Sequence, residues 1–196
     1  MSKLKRDFYR RNTRVVAIEL LGKVLVVRNS KHTMRAKIVE TEAYFGDKDP
    51  ASHAYRGVTP RNRVMFGPPG FSYVYFVYGN HYCFNVVTEE DGTAGAVLIR
   101  AVEPLKGIRE MMKRRGVKKL HHATNGPGKL TQALGISRRH SGIDLRGNNI
   151  FVTNDQSLSK KNLIIGVSPR IGVGGGRDKL YRFYIKDSKF VSKFKI

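Results

Sequence analysis

The stretch FSYVYFVYGNHYCFNVV, Phe71 to Val87, restricts this chain more than any other. Two runs of aromatic and β-branched residues, types that suit a pleated and half-buried surface, flank Gly79-Asn80, a pair that favours a tight turn. The expected structure is a β-hairpin. Side chains alternate along a strand, so Tyr73, Tyr75 and Val77 share one face, and Val74 and Phe76 the other. Tyr78 falls at the turn, where a large ring has little core to join. A lone two-stranded ribbon is marginal in water, so the hairpin needs a sheet to extend.

The rest of the chain offers one. KVLVVR and MRAKIVETEAY read as a second antiparallel pair turned by NSKH. AVLIRAVEP reads as a strand ended by Pro104, and NIFVTN, NLIIGVSPRIGV and LYRFYIKD as further strands. Three segments read as helices: RVVAIELL, capped by Asn12 or Thr13 and stopped by Gly22; LKGIREMMKRRGVKK, with Leu105, Ile108 and Met112 on its apolar side; and NGPGKLTQALGI, entered through Gly126-Pro127-Gly128. Hairpins outnumber helical crossovers. The pattern therefore predicts an α+β fold: a single mixed domain over residues 1–196, with a mostly antiparallel curved sheet, flanking helices and a protruding hairpin. A chain of 196 residues can bury enough surface to need no staples.

Charge narrows the partners. The chain carries 37 Lys and Arg against 15 Asp and Glu, a net charge of +22. Such a surplus favours a polyanion and fast electrostatic encounter. One cysteine, Cys83, rules out an internal disulfide or a Cys-based metal cluster. The N-terminus lacks the apolar core of a signal peptide, and no apolar run approaches the roughly 20 residues of a membrane span. A cytoplasmic protein is expected, nucleoid-associated if bacterial.

In a chain so short of acids, VETEAYFG is conspicuous, since Glu40 and Glu42 sit two residues apart within a strand. A carboxylate in a basic groove repels a polyanion, so it is expected to do chemistry, as a general base on a water. The alternative is a pair of solvated or Arg-paired carboxylates. A metal site of Glu40, Glu42 and His53 matches no zinc spacing, so the metal reading is weak. A long loop, FGDKDPASHAYRGVTPRNRVMFGPPG, follows with four Lys or Arg residues and is a candidate binding segment. Four tyrosines near one turn suit a core, and also a stacking platform for bases. GVGGG lacks the strand-to-helix setting of a dinucleotide fingerprint.

IVETEAY, ASH, TPRNRVMF, YVYFVYG, CFN, VLIRAVEP, NGPGKL and RIGV occur in that order. In this ordered set the chain resembles the alkyladenine (3-methyladenine) DNA glycosylase family, from about Val15 to Tyr184. The resemblance implies a monofunctional glycosylase of base excision repair, acting as a monomer on double-stranded DNA, with chemistry that requires neither metal nor organic cofactor. Its lesions would be alkylated or deaminated purines of the 3-methyladenine, 7-methylguanine, hypoxanthine and ethenoadenine type. It implies Glu42 as general base and Arg100 as the arginine that helps hold the attacking water. Tyr44, His53 and Tyr75 would form the pocket that sandwiches a flipped base, and Asn85 would discriminate against the 2-amino group of guanine. Tyr78 would intercalate where the base has left. Arg61, Arg63, Lys129 and the amides near Gly126 and Gly128 are candidate phosphate contacts. Glu40 matches no catalytic role. The competing class is a non-catalytic RNA-binding or ribosome-associated protein, which has no use for Glu42. A third, a metal-dependent nuclease, needs divalent ions.

Overall fold

The structure, a computed structural model, describes residues 2–155 and 163–192. In chain order its elements are β1 (Ser2–Lys3), α1 (Arg6–Tyr9), α2 (Thr13–Leu20), β2 (Val24–Arg28), β3 (Thr33–Tyr44), β4 (Ser72–Val77), β5 (His81–Val87), β6 (Ala96–Lys106), α3 (Ile108–Arg115), α4 (Pro127–Leu134), β7 (Ile150–Asn154), β8 (Ile165–Ser168) and β9 (Arg182–Ile185). All the strand pairings are antiparallel, in the order β1-β7-β2-β3-β6-β5-β4, with β9 added to β3 and β8 to β9. The curled sheet and few helices are the α+β architecture expected. The Asn162 end of the NLIIGVSPRIGV strand lies outside the described residues.

The long β3 organises the sheet. β6 follows it along one edge, while β2 takes the first half of the other edge and β9 the second. Register shifts at Arg35/Ala36, Ile38/Glu40 and Glu40/Thr41 bend the strand where β2 gives way to β9. Helix α2 lies on β3 and β6, tied by the Thr41 hydroxyl donating to the Ala17 carbonyl at 2.8 Å. Helix α4 covers β5 and β6, and α3 packs on α4. Between these layers lie Leu20, Leu25, Ile38, Phe84, Ile99, Met111 and Phe183, all wholly buried. Each such side chain contributes about 1.5–3 kcal/mol relative to exposure. Among the described residues, no helix is long and apolar enough to cross a membrane.

Three expectations need correction. Strand β6 does not end at Pro104 but runs to Lys106. Pro104 stands opposite Ala36 at a register shift, beyond the reach of β5, so its missing N–H costs no ladder bond. Leu105 therefore belongs to the strand, and α3 starts after Gly107, which adopts φ +79°. The residue that α3 buries is Met111, not Met112. The hairpin turn is not Gly79-Asn80 alone: Val77 and His81 form the last pair, leaving Tyr78, Gly79 and Asn80 as the loop.

Candidate active site

Both acids of VETEAY are wholly buried, so neither is a solvated edge residue. They are not used alike. Glu40 Oε1 accepts from Arg182 Nε at 2.6 Å and from the Ser192 hydroxyl at 2.7 Å, while Oε2 accepts from the Ser192 amide at 2.7 Å. Arg100 Nε lies 3.3 Å from Glu40 Oε1, close enough for ionic attraction but not aligned for a hydrogen bond. Glu42 Oε1 accepts from the Ile171 amide at 2.8 Å. Its Oε2 accepts from the Tyr44 hydroxyl at 2.7 Å and from Arg100 Nη1 at 3.2 Å. A carboxylate offers about four acceptor positions, so Glu42, with three donors, has room for one more.

Arg100 thus bridges the two carboxylates from β6. Burial alone would lower its pKa, but Glu42 and Glu40 overcome that and raise it. It remains a fixed cation. Burial, and then the adjoining Glu42 charge, raise the Tyr44 pKa well above the usual value, so its phenol stays protonated and keeps donating.

Beside this network is a small cavity lined by Tyr44, Ala51, His53, Met65, Tyr73, Tyr75, Asn85 and Ala96. His53 and Tyr75 meet edge to face, with ring centroids 4.4 Å apart. No base fits between these two rings. They form one wall, and Tyr44 lines the same cavity. His53 keeps an exposed edge, yet partial desolvation and the Arg61 charge lower its pKa, leaving a neutral ring at pH 7. Its Nδ1 shares a 2.8 Å hydrogen bond with the Tyr73 hydroxyl. Burial pushes the Tyr73 phenol up to about 12.

The loop carrying His53 is held by Asn62, which is almost wholly buried. Its amide donates to the His53 and Gly57 carbonyls at 2.7 and 2.9 Å, and its Oδ1 accepts from the Thr59 amide at 2.6 Å. The Thr-Pro-Arg-Asn-Arg motif therefore positions a pocket wall. Asn85 reaches the cavity from β5 and donates to the Tyr73 carbonyl at 3.0 Å.

Tyr78 stands at the hairpin tip, 81% exposed, with φ +54°. Arg61 and Arg63 line a groove beside the cavity with Tyr75, Phe76 and Arg138. The Arg61 guanidinium sits 5.5 Å from the Tyr75 ring centroid. Gly126, Gly128 and Lys129 lie at the start of α4, where Gly128 packs against His81, the first residue of β5 after the hairpin loop. A Cβ at Gly128 would come 2.7 Å from the His81 ring, so only glycine lets the two elements meet there. Lys129 Nζ contacts the Asn125 side chain at 3.0 Å.

The structure thus gathers Tyr44, His53, Tyr75 and Asn85 around one cavity, with Glu42 and Arg100 buried behind Tyr44. Neither of those two forms part of the cavity wall. Sequence reasoning missed Met65, Arg138 and the Asp49–Arg170 pair near Tyr44. Arg138 could have been noticed as the first basic residue of the SRRH turn. Among the described residues, no three His, Cys, Asp or Glu side chains come together as a metal site.

A model of the methylpurine-DNA glycosylase family matches residues 7–189. A protein from Carboxydothermus hydrogenoformans is 51% identical over 97% of this chain and 98% of its own. One from Chlorobaculum tepidum is 47% identical over 98% of this chain and 92% of its own. One from Clostridium perfringens strain 13 is 48% identical over 97% of this chain and 99% of its own. All three carry 3-methyladenine DNA glycosylase in their names.

Proposed function

Because the chain belongs to the methylpurine-DNA glycosylase family, we propose that it flips a damaged purine out of duplex DNA and releases it by attack of water at C1′. It is a DNA glycosylase, an enzyme that hydrolyses the N-glycosyl bond of methylated purines. The finer reading adds deaminated and etheno purines to its substrates and assigns roles to the residues around the cavity.

A base within the stack cannot reach a buried carboxylate, so extrusion comes first and costs a few kcal/mol of unstacking. Tyr78 enters the vacated space and offsets that cost, as apolar wedges do in other minor-groove binders. The base enters between Tyr44 and the wall made by His53 and Tyr75. A purine alkylated at N3 or N7 is cationic and already a good leaving group, and electron-rich rings hold it by about 0.5–2 kcal/mol each. Asn85, at the cavity edge, meets the purine's exocyclic substituents.

Water then takes the remaining acceptor position of Glu42. Glu42 accepts the proton as the oxygen bonds to C1′ and the C1′–N bond breaks, and its charge opposes the oxocarbenium-like sugar. Arg100 holds the carboxylate at the right angle. The mechanism needs no lysine nucleophile and no Schiff base, as in a monofunctional enzyme. Arg61, Arg63, Lys129 and the amides near Gly126 and Gly128 grip phosphates irrespective of sequence.

The observation that carries this reading is the Glu42 carboxylate, buried beside an aromatic cavity and held by three donors with one acceptor position unfilled. A non-catalytic RNA-binding protein has no use for it. The test is incubation with duplex DNA carrying one hypoxanthine, in EDTA, followed by alkali. Strand cleavage only after alkali is expected. Nicking that EDTA abolishes, or tight RNA binding without product, would overturn the reading.

A further inference from the structure

Tyr44 has a second face. Arg170 places its guanidinium carbon 4.6 Å from the Tyr44 ring centroid and 5.3 Å from that of Tyr181. Arg170 stacks on the Tyr44 ring without being one of the residues that line the cavity. Arg170 Nη1 and Nη2 bind the two oxygens of Asp49 at 2.6 and 2.7 Å, and Nη1 also donates to the Ala43 carbonyl at 2.9 Å. The side chains of Arg170 and Asp49 are 0% and 1% exposed. Asp49 further accepts from the Phe45 and Ala51 amides, so it cannot follow the arginine elsewhere. Arg170 Nε is buried without an acceptor: the cation lies among rings at the expense of one donor.

Gly176 packs against the pair. Gly176, at φ +57°, would bring a Cβ within 3.1 Å of Arg170 Nη2. The neighbour of Arg170, Ile171, gives its amide to Glu42. One short segment thus supports the ring that meets the base and the carboxylate that meets the water.

A ring holds a cation through the negative charge on its faces. A guanidinium against one face already draws on that charge, and it repels a second cation across the ring. A neutral base, held by stacking and burial, is much less affected. We propose that the Asp49–Arg170 pair is a specificity-determining element, which acts through Tyr44 to lower the preference for cationic over neutral damaged purines. This rests on the reading of the cavity as the base pocket. Arg170 touches neither base nor water, so it is a positioning residue.

The test compares single-turnover release of 7-methylguanine, which is cationic, and hypoxanthine, which is neutral, from matched duplexes. The ratio of the two rates is read within one preparation, so a reduced active fraction cancels. In the double variant Asp49→Asn/Arg170→Gln the cation is gone, and the ratio should rise by roughly three- to ten-fold, within the two- to thirty-fold of a cation–π contact. In Asp49→Asn alone the cation loses its counter-charge, and the ratio should fall. Opposite shifts in the two variants are the signature, and a purely structural role would not produce them. Ratios that stay within two-fold of wild type, or that move in the same direction, overturn the proposal. So does failure of both variants to fold, which would make the pair a structural bolt alone. A wild-type protein that releases neither base overturns the base-pocket reading itself, a result distinct from an active wild type with unmoved ratios.

Discussion

Glu40 accepts two bonds from Ser192 and one from Arg182, whereas Glu42 is bonded to Tyr44, a residue of the cavity wall. Their substitutions should therefore fail in different ways. Glu42→Gln keeps the shape but loses basicity, and its NH2 group must replace an oxygen that accepts from Ile171 or from Tyr44 and Arg100. Base release should fall by about 10²–10⁴-fold, the usual worth of general base catalysis, while damaged-DNA binding stays near normal. Single-turnover release within a few-fold of wild type would remove Glu42 from the role of base. Glu40→Gln leaves Arg182 and part of Arg100 without a buried counter-charge. It should cost about 3 kcal/mol in denaturant unfolding, toward the low end for breaking a buried pair. The folded fraction should still release base far better than Glu42→Gln does. Equal loss in both would mean that the two acids act as one unit. Glu42 and Tyr44, two residues apart on one strand, were legible in the sequence. Glu40–Arg182 and Asp49–Arg170 were not, because ion pairs more than a hundred residues apart leave no period to read.

The hairpin was the most legible element, because strand periodicity and turn residues act over a few positions. Its loop was not fully so. A three-residue turn puts Tyr78 in the left-handed region, which costs a side chain about 1–2 kcal/mol. Such strain on an exposed tyrosine fits a residue placed there for contact. Tyr78→Gly should relieve it, so its Tm should equal or exceed that of wild type. The same variant should release hypoxanthine more slowly from duplex DNA, by about five-fold or more, the lower end of the worth of a lost base stack. Release from single strands should change little, because there is no stack to fill. A variant that melts far below wild type, or slows equally on both substrates, would make Tyr78 a core or pocket residue. Strand β6 was misread for the opposite reason. Proline speaks strongly in a local pattern, and only the tertiary register reveals that Pro104 meets a bulge.

At the scale of the whole molecule the surplus of +22 should dominate encounter with DNA. Arg61, Arg63, Arg138 and Lys129 flank the cavity and hairpin, so about four phosphates should be neutralised. The slope of log affinity against log salt should then lie near −3.6, and Arg61→Ala should flatten it by about one. Titration of undamaged duplex from low to moderate salt measures both, and a flat profile would contradict a phosphate grip. Acid stability follows from Asp144, which bonds Arg146 and Arg6 and whose pKa is thereby lowered to about 2. Its stabilisation is complete above the unfolded value of 3.8 and is lost as pH falls toward 2. The urea midpoint should drop over that window, and less steeply in Asp144→Asn. An unchanged slope in that variant would assign the acid sensitivity to other carboxylates.

The chain of alternating charges Glu42–Arg100–Glu40–Arg182 ends on Ser192. Its members arrive from the ribosome at very different times. By the time residue 106 has emerged, β3 and β6 can pair, and Glu42 can meet Arg100. The Ile171 amide, Arg182 and Ser192 are still to come. A nascent chain therefore holds two buried acids and a single arginine until its closing segment docks. The closing segment is therefore needed to complete the network: a chain that stops before residue 171 lacks the Ile171, Arg182 and Ser192 donors to the two carboxylates.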